Sequence, residues 1–318
     1  MIAWLVLLQA SLTIAVAGPA TSPEYLPLHV AAADGLFAAQ KLTVTLRSYR
    51  SEPSAAEALA AGRAQLAATS LDSALRLGAV DSRPPQILWG FTAAPPVALL
   101  VNRARTDSIR SAADLVGQTV AVPAPGTPED QALAFLLARA GVAPQQVTLQ
   151  SLGERGAARA LEGGAVAAAV LSEPYVTRLV ENGAGTIVVD LRTAKDAAGW
   201  LGGPSVSAGL FLRAGADLDA TILHGLTTAL QAALARVLST EPAALAVNLP
   251  AATVGSPADF ALRLGHARDL FLPGGRVSVE ALEHSLELVR GRAPLPAKVK
   301  MPSVERLLRL EPAGGETR

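Results

Sequence analysis

The chain has 318 residues, half of them apolar, which is more than one hydrophobic core usually serves and argues against disorder. Lys plus Arg and Asp plus Glu balance at 27 each, so no net field draws in nucleic acid or an anionic membrane. The absence of cysteine excludes disulfides, thiolate metal sites and thiol nucleophiles.

In chain order, residues 1–10 are expected to be an export segment, although no Lys or Arg leads the apolar run Ile2 to Leu8. Ala15-Val16-Ala17 before Gly18 resembles a cleavage site, but cutting there would remove Leu12 to Ala17, which reads as a strand; the mature chain is expected to start near Ser11. Ser22-Pro23-Glu24 is a helix start: a hydroxyl at the cap, proline at the first helical position, an acid in the first turn. Leu42 to Arg47 and Leu66 to Ser70 read as strands, with a helix between them capped by Ser54 and Glu57. Val97 to Val101, after Pro95-Pro96, is expected to cross between two lobes. A second series follows: strand Gln118 to Val122, helix start Thr127-Pro128-Glu129 with Asp130, strand Val147 to Gln150, strand Ala168 to Ser172. Ser205 to Leu212, after Gly202-Gly203-Pro204, is the expected return crossing. The helix Leu223 to Leu238 carries an apolar stripe, and Ser256-Pro257 and Ser278 mark later helix starts.

The two series form an internal duplication. Residues 15–24, AVAGPATSPE, parallel 120–129, VAVPAPGTPE; residues 55–62, AAEALAAG, parallel 157–164, AARALEGG. Each run then ends an apolar stretch on serine, Ser70 and Ser172. Alanine-rich helices resemble one another by composition, so the weight falls on the repeated order of strand, loop, Pro-Glu, helix, strand, helix, glycine and strand. Strands alternating with helices imply an α/β fold of parallel βαβ units in two lobes. The expected division places lobe I at residues 11–96 and 208–318, and lobe II at 97–207.

Tyr25-Leu26-Pro27-Leu28-His29-Val30-Ala31 with Asp34-Gly35-Leu36-Phe37, the segment SAAEALAAGRAQLAATS, the segment IRSAADLVGQTVAV and the Ser172-Glu173-Pro174 step occur together in order. In this the chain resembles the nitrate/sulfonate/taurine/thiamine-pyrimidine (NMT1-like) group of ABC-transporter solute-binding proteins, from about residue 12 to residue 215. Gln65 and Ala167 depart from it, standing where the group usually has a turn aspartate. The resemblance implies a type II periplasmic-binding-protein fold with lobes joined by two crossing strands. It also implies a periplasmic or extracytoplasmic monomer that captures a small anionic or heterocyclic molecule and delivers it to a membrane permease. Two other uses of this fold stay open. One is a biosynthetic enzyme, thiamine-pyrimidine synthase-like or menaquinone-precursor dehydratase-like; the other is a sensory module.

In open α/β sheets, ligands bind beyond the carboxyl ends of the strands, and the duplication sets two such ends face to face. Ser22 and Thr127, with N–H groups after Gly126, are candidates to grip a head group; capping their own helices is the alternative role. Ser70 and Glu173 end paired strands, Glu173 being either a ligand acceptor or a first-turn acid. Tyr25, Tyr49, Phe91 and Tyr175 are candidate walls, Arg50 a candidate cation, and Thr92 and Ser207 further candidate ligand contacts. No catalytic residue, metal ligand or cofactor is expected: His29, His224, His266 and His284 lack ligand spacing, and no nucleophile elbow, P-loop or dinucleotide fingerprint occurs. An enzyme would need paired acid and base groups, for which the chain offers Glu173 with Asp72.

Overall fold

A computed structural model describes residues 10–292, 295–297 and 299–309. Most of the expected export segment, residues 1–10, lies outside the described residues. The strands are β1 (Ala10–Val16), β2 (Leu42–Ser48), β3 (Leu66–Ser70), β4 (Gln86–Thr92) and β5 (Val97–Asn102). β6 (Thr119–Val122), β7 (Thr148–Ser151), β8 (Ala168–Ser172), β9 (Gly185–Asp190) and β10 (Ala208–Leu212) follow. They form two five-stranded sheets, in the orders β2-β1-β3-β10-β4 and β7-β6-β8-β5-β9.

The two orders match position by position, so the duplicated sequence folds into a duplicated architecture. In each sheet three parallel strands are followed by one antiparallel strand that belongs to the other half of the sequence. β10 pairs with β3 so that Ala208 faces Ser70; β5 pairs with β8 so that Val97 faces Ser172. Each serine-ended strand is therefore closed off by a strand that has just crossed over. β1 lies between β2 and β3, with Ile14 and Ala15 fully buried, which makes it a central strand.

The crossings themselves correct the expectation. Val97–Asn102 and Ala208–Leu212 each lie wholly inside one sheet, and only the short segments 93–96 and 202–207 pass between lobes. Ladder pairing keeps a strand in one sheet, so the change of lobe falls to the Pro- and Gly-rich stretches, Pro95-Pro96 and Gly202-Gly203-Pro204. The cap assigned to Ser54 belongs instead to Ser51. Its backbone is extended at φ −152°, and its N–H donates to Ser54 Oγ at 3.0 Å.

Low aromatic content dictates small aliphatic packing. Ala67, Ala68, Ala121, Ala168 and Ala169 are all fully buried, letting helices approach both sheets closely. One aromatic pair breaks this rule. The Tyr25 and Phe91 rings meet edge to face, 5.6 Å apart at 88°, inside the larger core.

The lobes touch. Gln131 Nε2 donates to Ser73 Oγ at 3.1 Å, Arg178 pairs with Asp259 at 2.6 Å, and Ala194 N–H donates to Asp269 at 2.7 Å. The tightest seam is Gly126 against Pro53: a methyl group on Gly126 would stand 2.7 Å from the proline ring. Gly126 also has φ +75°, a conformation that costs a residue with a β-carbon roughly 1–2 kcal/mol. Gly126→Ala should therefore lower the melting temperature and wedge the lobes apart. Scattering should show a larger radius of gyration than wild type under the same conditions; equal radii would mean that Pro53 yields instead.

Candidate functional site

Between the lobes lies a cavity of about 180 Å³, lined from both halves of the duplication. Its walls are the loop after β1 and the loop after β6, each leading into a Pro-Glu helix start. The duplication supplies its carboxyl groups in pairs. Glu24 and Glu129 occupy equivalent first-turn positions, and Glu52 and Glu154 open the helices Glu52–Ala60 and Gly153–Glu162. Acids favour these positions because the peptide dipoles there carry partial positive charge. Glu173 and Asp259 complete six carboxyl side chains, against two guanidinium groups, Arg50 and Arg263.

Burial sets the chemistry of these acids. Glu129 is 5% exposed, and burial pushes its pKa up to about 7, with the charge of Glu154 adding to the shift. The Thr127 and Ser172 hydroxyls and its own backbone N–H oppose that shift. Glu52 also stands at about 7, raised by burial against three donors. Those donors are Tyr25 hydroxyl at 2.9 Å, Thr69 hydroxyl at 2.9 Å and Ser70 N–H at 2.5 Å. Glu24 is raised well above the ordinary carboxyl range by burial and then by the charge of Glu52. It is 2% exposed and accepts one hydrogen bond, from Ser22 Oγ to Oε2 at 3.1 Å. No donor among the described residues reaches its other oxygen.

Glu173 is differently placed. It is 4% exposed and ion-paired with Arg192, which grips Asp190 through Nε at 2.9 Å and Nη2 at 2.6 Å. Thr177 donates to Glu173 through both N–H and hydroxyl at 3.0 Å, and His266 Nε2 lies 3.3 Å away. It therefore shares one guanidinium with Asp190 and takes its remaining hydrogen bonds from Thr177. It stands two residues before the helix Tyr175–Glu181 rather than in its first turn, accepts the Thr177 N–H from there, and lines the cavity.

Of the residues expected at the site, Ser22, Arg50, Thr127, Glu173 and Tyr175 line this cavity. Ser70 and Ser207 line a smaller one of about 40 Å³ on the hinge side, together with Asp72. There Asp72 is bound to Arg76 at 2.9 Å and Arg292 at 3.2 Å, away from Glu173. Gly126 lies in the interlobe seam. Tyr25 and Thr92 are core residues: the tyrosine hydroxyl is committed to Glu52, and Thr92 Oγ1 is buried without a partner. Phe91 is core and Tyr49 packs at its edge.

The helix start at Thr127 has few donors left for an anion. Its hydroxyl accepts from Asp130 N–H at 3.4 Å, Gly126 N–H donates to Asp130 at 2.8 Å, and Pro128 has no N–H. Sequence reasoning missed Glu24, Glu52, Glu129, Glu154, Asp259 and Arg263. For the first four a signal existed: they recur at the two offsets of the duplication, 24 with 129 and 52 with 154. Among the described residues, no group of three or more His, Asp or Glu is placed to hold a metal ion.

The profile of the NMT1/THI5-like family matches residues 22–192, more than half of the chain. The chain belongs to that family. The matched segment runs from Ser22 to Arg192, so it contains Glu24, Glu52, Glu129, Glu154 and Glu173 but ends before Asp259 and Arg263. The family's fold is seen in solved structures as well. A Bordetella bronchiseptica RB50 protein superposes with a TM-score of 0.78 at 26% identity, covering 95% of each chain. The alkanesulfonate-binding protein of Xanthomonas axonopodis pv. citri, bound to MOPS, gives 0.69 at 20% identity, covering 95% of this chain and 99% of that one. The nitrate-binding protein of Synechocystis PCC 6803 gives 0.62 at 14%, covering 94% and 86%. The chain has the two-lobed periplasmic-binding-protein fold. No curated protein matches it.

Proposed function

We propose that this protein is an extracytoplasmic solute-binding protein of an ABC importer, a monomer that closes its two lobes around a small molecule and presents it to a membrane permease. The observation that carries this reading is the interlobe cavity, lined in duplicate by equivalent Pro-Glu steps from opposing lobes. A cleft built this way buries a ligand by closure rather than by a preformed hole in one domain. Residues 11–96 with 208–318 and residues 97–207 are the two moving units, hinged at 93–96 and 202–207. Ser22, Arg50, Thr127, Glu173 and Tyr175 are the residues of the expected set that would touch the ligand. No helix among the described residues is long and apolar enough to cross a membrane, so the permease supplies the membrane passage in this reading.

Between the anionic and heterocyclic ligands of this fold's sulfonate-, nitrate- and pyrimidine-handling proteins, the lining favours the heterocycle. An anion would meet six carboxyl groups and two guanidinium groups, of which Arg50 is exposed at the rim. The rival reading, a biosynthetic enzyme, draws on one observation: Glu129 is a buried acid held near neutrality, as proton transfer requires. Binding without turnover separates the two readings.

The test is a thermal-shift screen of methanesulfonate, taurine, nitrate and 4-amino-2-methylpyrimidine, with scattering on any compound that binds. A ligand at a hundredfold over its Kd should add about 2.7 kcal/mol of stability, and the radius of gyration should fall. Binding with an unchanged radius would refute lobe closure, and conversion of the bound compound would favour the enzyme.

A further inference from the structure

The interlobe cavity carries a charge pattern that narrows the class of ligand, given that the cleft binds a solute as proposed above. Three of its carboxyl groups, Glu24, Glu52 and Glu129, are almost fully buried, at 2%, 1% and 5% exposure. They stand on both lobes, and the charge of Glu129 reaches across the cleft to raise both Glu24 and Glu52. Neither guanidinium offsets them from within. Arg50 is exposed at the rim, and Arg263 donates to Val254 C=O at 2.6 Å while facing Asp259 and Glu154. Buried carboxyl groups gathered without a matching cation are unusual, because burying a charge is costly unless it is paired.

The individual acids are not equivalent. Glu52 is satisfied by Tyr25, Thr69 and Ser70, and Glu173 by Arg192 and Thr177. Glu24 keeps one oxygen for the cavity: Oε2 takes the Ser22 hydroxyl, and no donor among the described residues reaches the other oxygen of this cavity-lining side chain. The fully buried unpaired side-chain atoms among the described residues are Thr92 Oγ1 and Arg292 Nε, so this Glu24 oxygen is open to the cavity, where a ligand donor would meet it. Because Glu24 and Glu129 occupy equivalent places in the two halves, a donor between them is approached from both lobes at once, which couples recognition to closure.

We propose that the cleft takes a cationic nitrogen group, a primary ammonium, amidinium or guanidinium, held between Glu24 of one lobe and Glu129 of the other. The group donates N–H hydrogen bonds to both carboxyl groups, and its single positive charge neutralises the one that is ionised. The rest of the ligand lies against Pro96, Val97 and Tyr175. A single cation needs one ionised carboxylate, so binding displaces the proton that burial holds on Glu129, while Glu24 can accept the second N–H through its carbonyl oxygen. Affinity therefore rises with pH up to about 7, the point at which Glu129 ionises in the free protein. The groups that face Glu129 are Glu154, Thr127 and Ser172 from its own lobe, Glu24 and Glu52 from the other, and Asp259 and Arg263 from the helix Pro257–Ala267.

The test uses the full chain at pH 8 with benzamidine, agmatine and putrescine as cationic probes, and methanesulfonate and nitrate as anionic ones. At least one cation should raise the melting temperature and neither anion should. Titration calorimetry should then show affinity falling up to tenfold per pH unit below 7, with protons released to the buffer. Glu24→Gln and Glu129→Gln keep size and shape, and each should weaken the cation tenfold to a hundredfold. An anion that binds and compacts the protein, while these variants bind it as well or better, would overturn the cation assignment and leave the binding-protein reading standing. A panel in which no cation binds also overturns the assignment. If in addition no anion binds and the radius never changes, the binding-protein reading falls with it.

Discussion

Arg192→Ala should destabilise the protein by roughly 3–5 kcal/mol, because it strands the Glu173 carboxylate in a buried site. Both partners are buried, Arg192 at 6% and Glu173 at 4% exposure, and the guanidinium also clamps Asp190 through two nitrogens. Thr177 alone would remain to hydrogen-bond the carboxylate, with His266 at 3.3 Å as the nearest titratable neighbour. For a chain of this length, the loss corresponds to a fall in melting temperature of about 4–8 °C. The double variant Arg192→Met, Glu173→Gln removes both charges and should recover much of the loss, since replacing a buried pair is far milder than halving it. Thermal melts of the three proteins decide the point. A single variant that melts within a degree or two of wild type would mean that Glu173 is solvated from the cavity, and the double variant would then show no recovery.

The fold was legible because the chain states it twice. Ser22-Pro23-Glu24 and Thr127-Pro128-Glu129 follow equivalent strands and both put proline first, but only Thr127 caps its helix; the Ser22 hydroxyl donates to Glu24 instead, ahead of the short turn Pro23–Tyr25. The repeat also protected β1 from being read as a leader: Leu12 to Ala17 matches a strand of the second half, and β1 is the centre of its neighbours. What local rules could not reach was the pairing of β10 with β3 and β5 with β8. Those contacts join residues separated by more than a hundred positions in one case and about seventy in the other, and nothing in either strand's own composition names its partner.

The site was less legible, for a related reason. In each Ser/Thr-Pro-Glu step the hydroxyl drew attention as a ligand group and the acid was read as a dipole complement. In the structure Ser22 and Thr127 do line the cavity, but Glu24 and Glu129 are the more deeply buried partners. Burial of those acids arises only when the lobes face each other, so it leaves no trace in a window of ten residues. Tyr25 shows the converse. It sits in the run Tyr-Leu-Pro-Leu, which is apolar at every position, and the core claims the ring while Glu52 claims the hydroxyl. Ser70 ends β3 as expected and Ser207 immediately precedes β10, yet the register that sets Ala208 opposite Ser70 turns both toward the hinge side. The recurrence of Glu52 as Glu154 was available in the sequence, and it points at the cleft more directly than any single motif.

Stability should fall as pH rises from about 4.5 to about 7, and Glu129→Gln should remove a large part of that fall. The folded protein holds a proton on Glu129 up to about 7, whereas the unfolded chain releases it near the ordinary value of 4.5. Between those limits the native state binds more protons than the unfolded state, so raising the pH favours unfolding. The contribution is complete below 4.5 and lost above 7. A gap of this size amounts to roughly 3 kcal/mol for one group. Glu24 and Glu52 act in the same direction, since burial raises both. His29 acts the other way, because burial lowers its pKa and it must charge on unfolding in mild acid. The difference between wild type and variant cancels these shared terms and isolates Glu129. Denaturant melts should therefore show the glutamine variant more stable than wild type at pH 8 and close to it at pH 5. A difference that does not change between those two pH values would mean that water reaches Glu129 freely and that the lobes stand open in the unliganded protein.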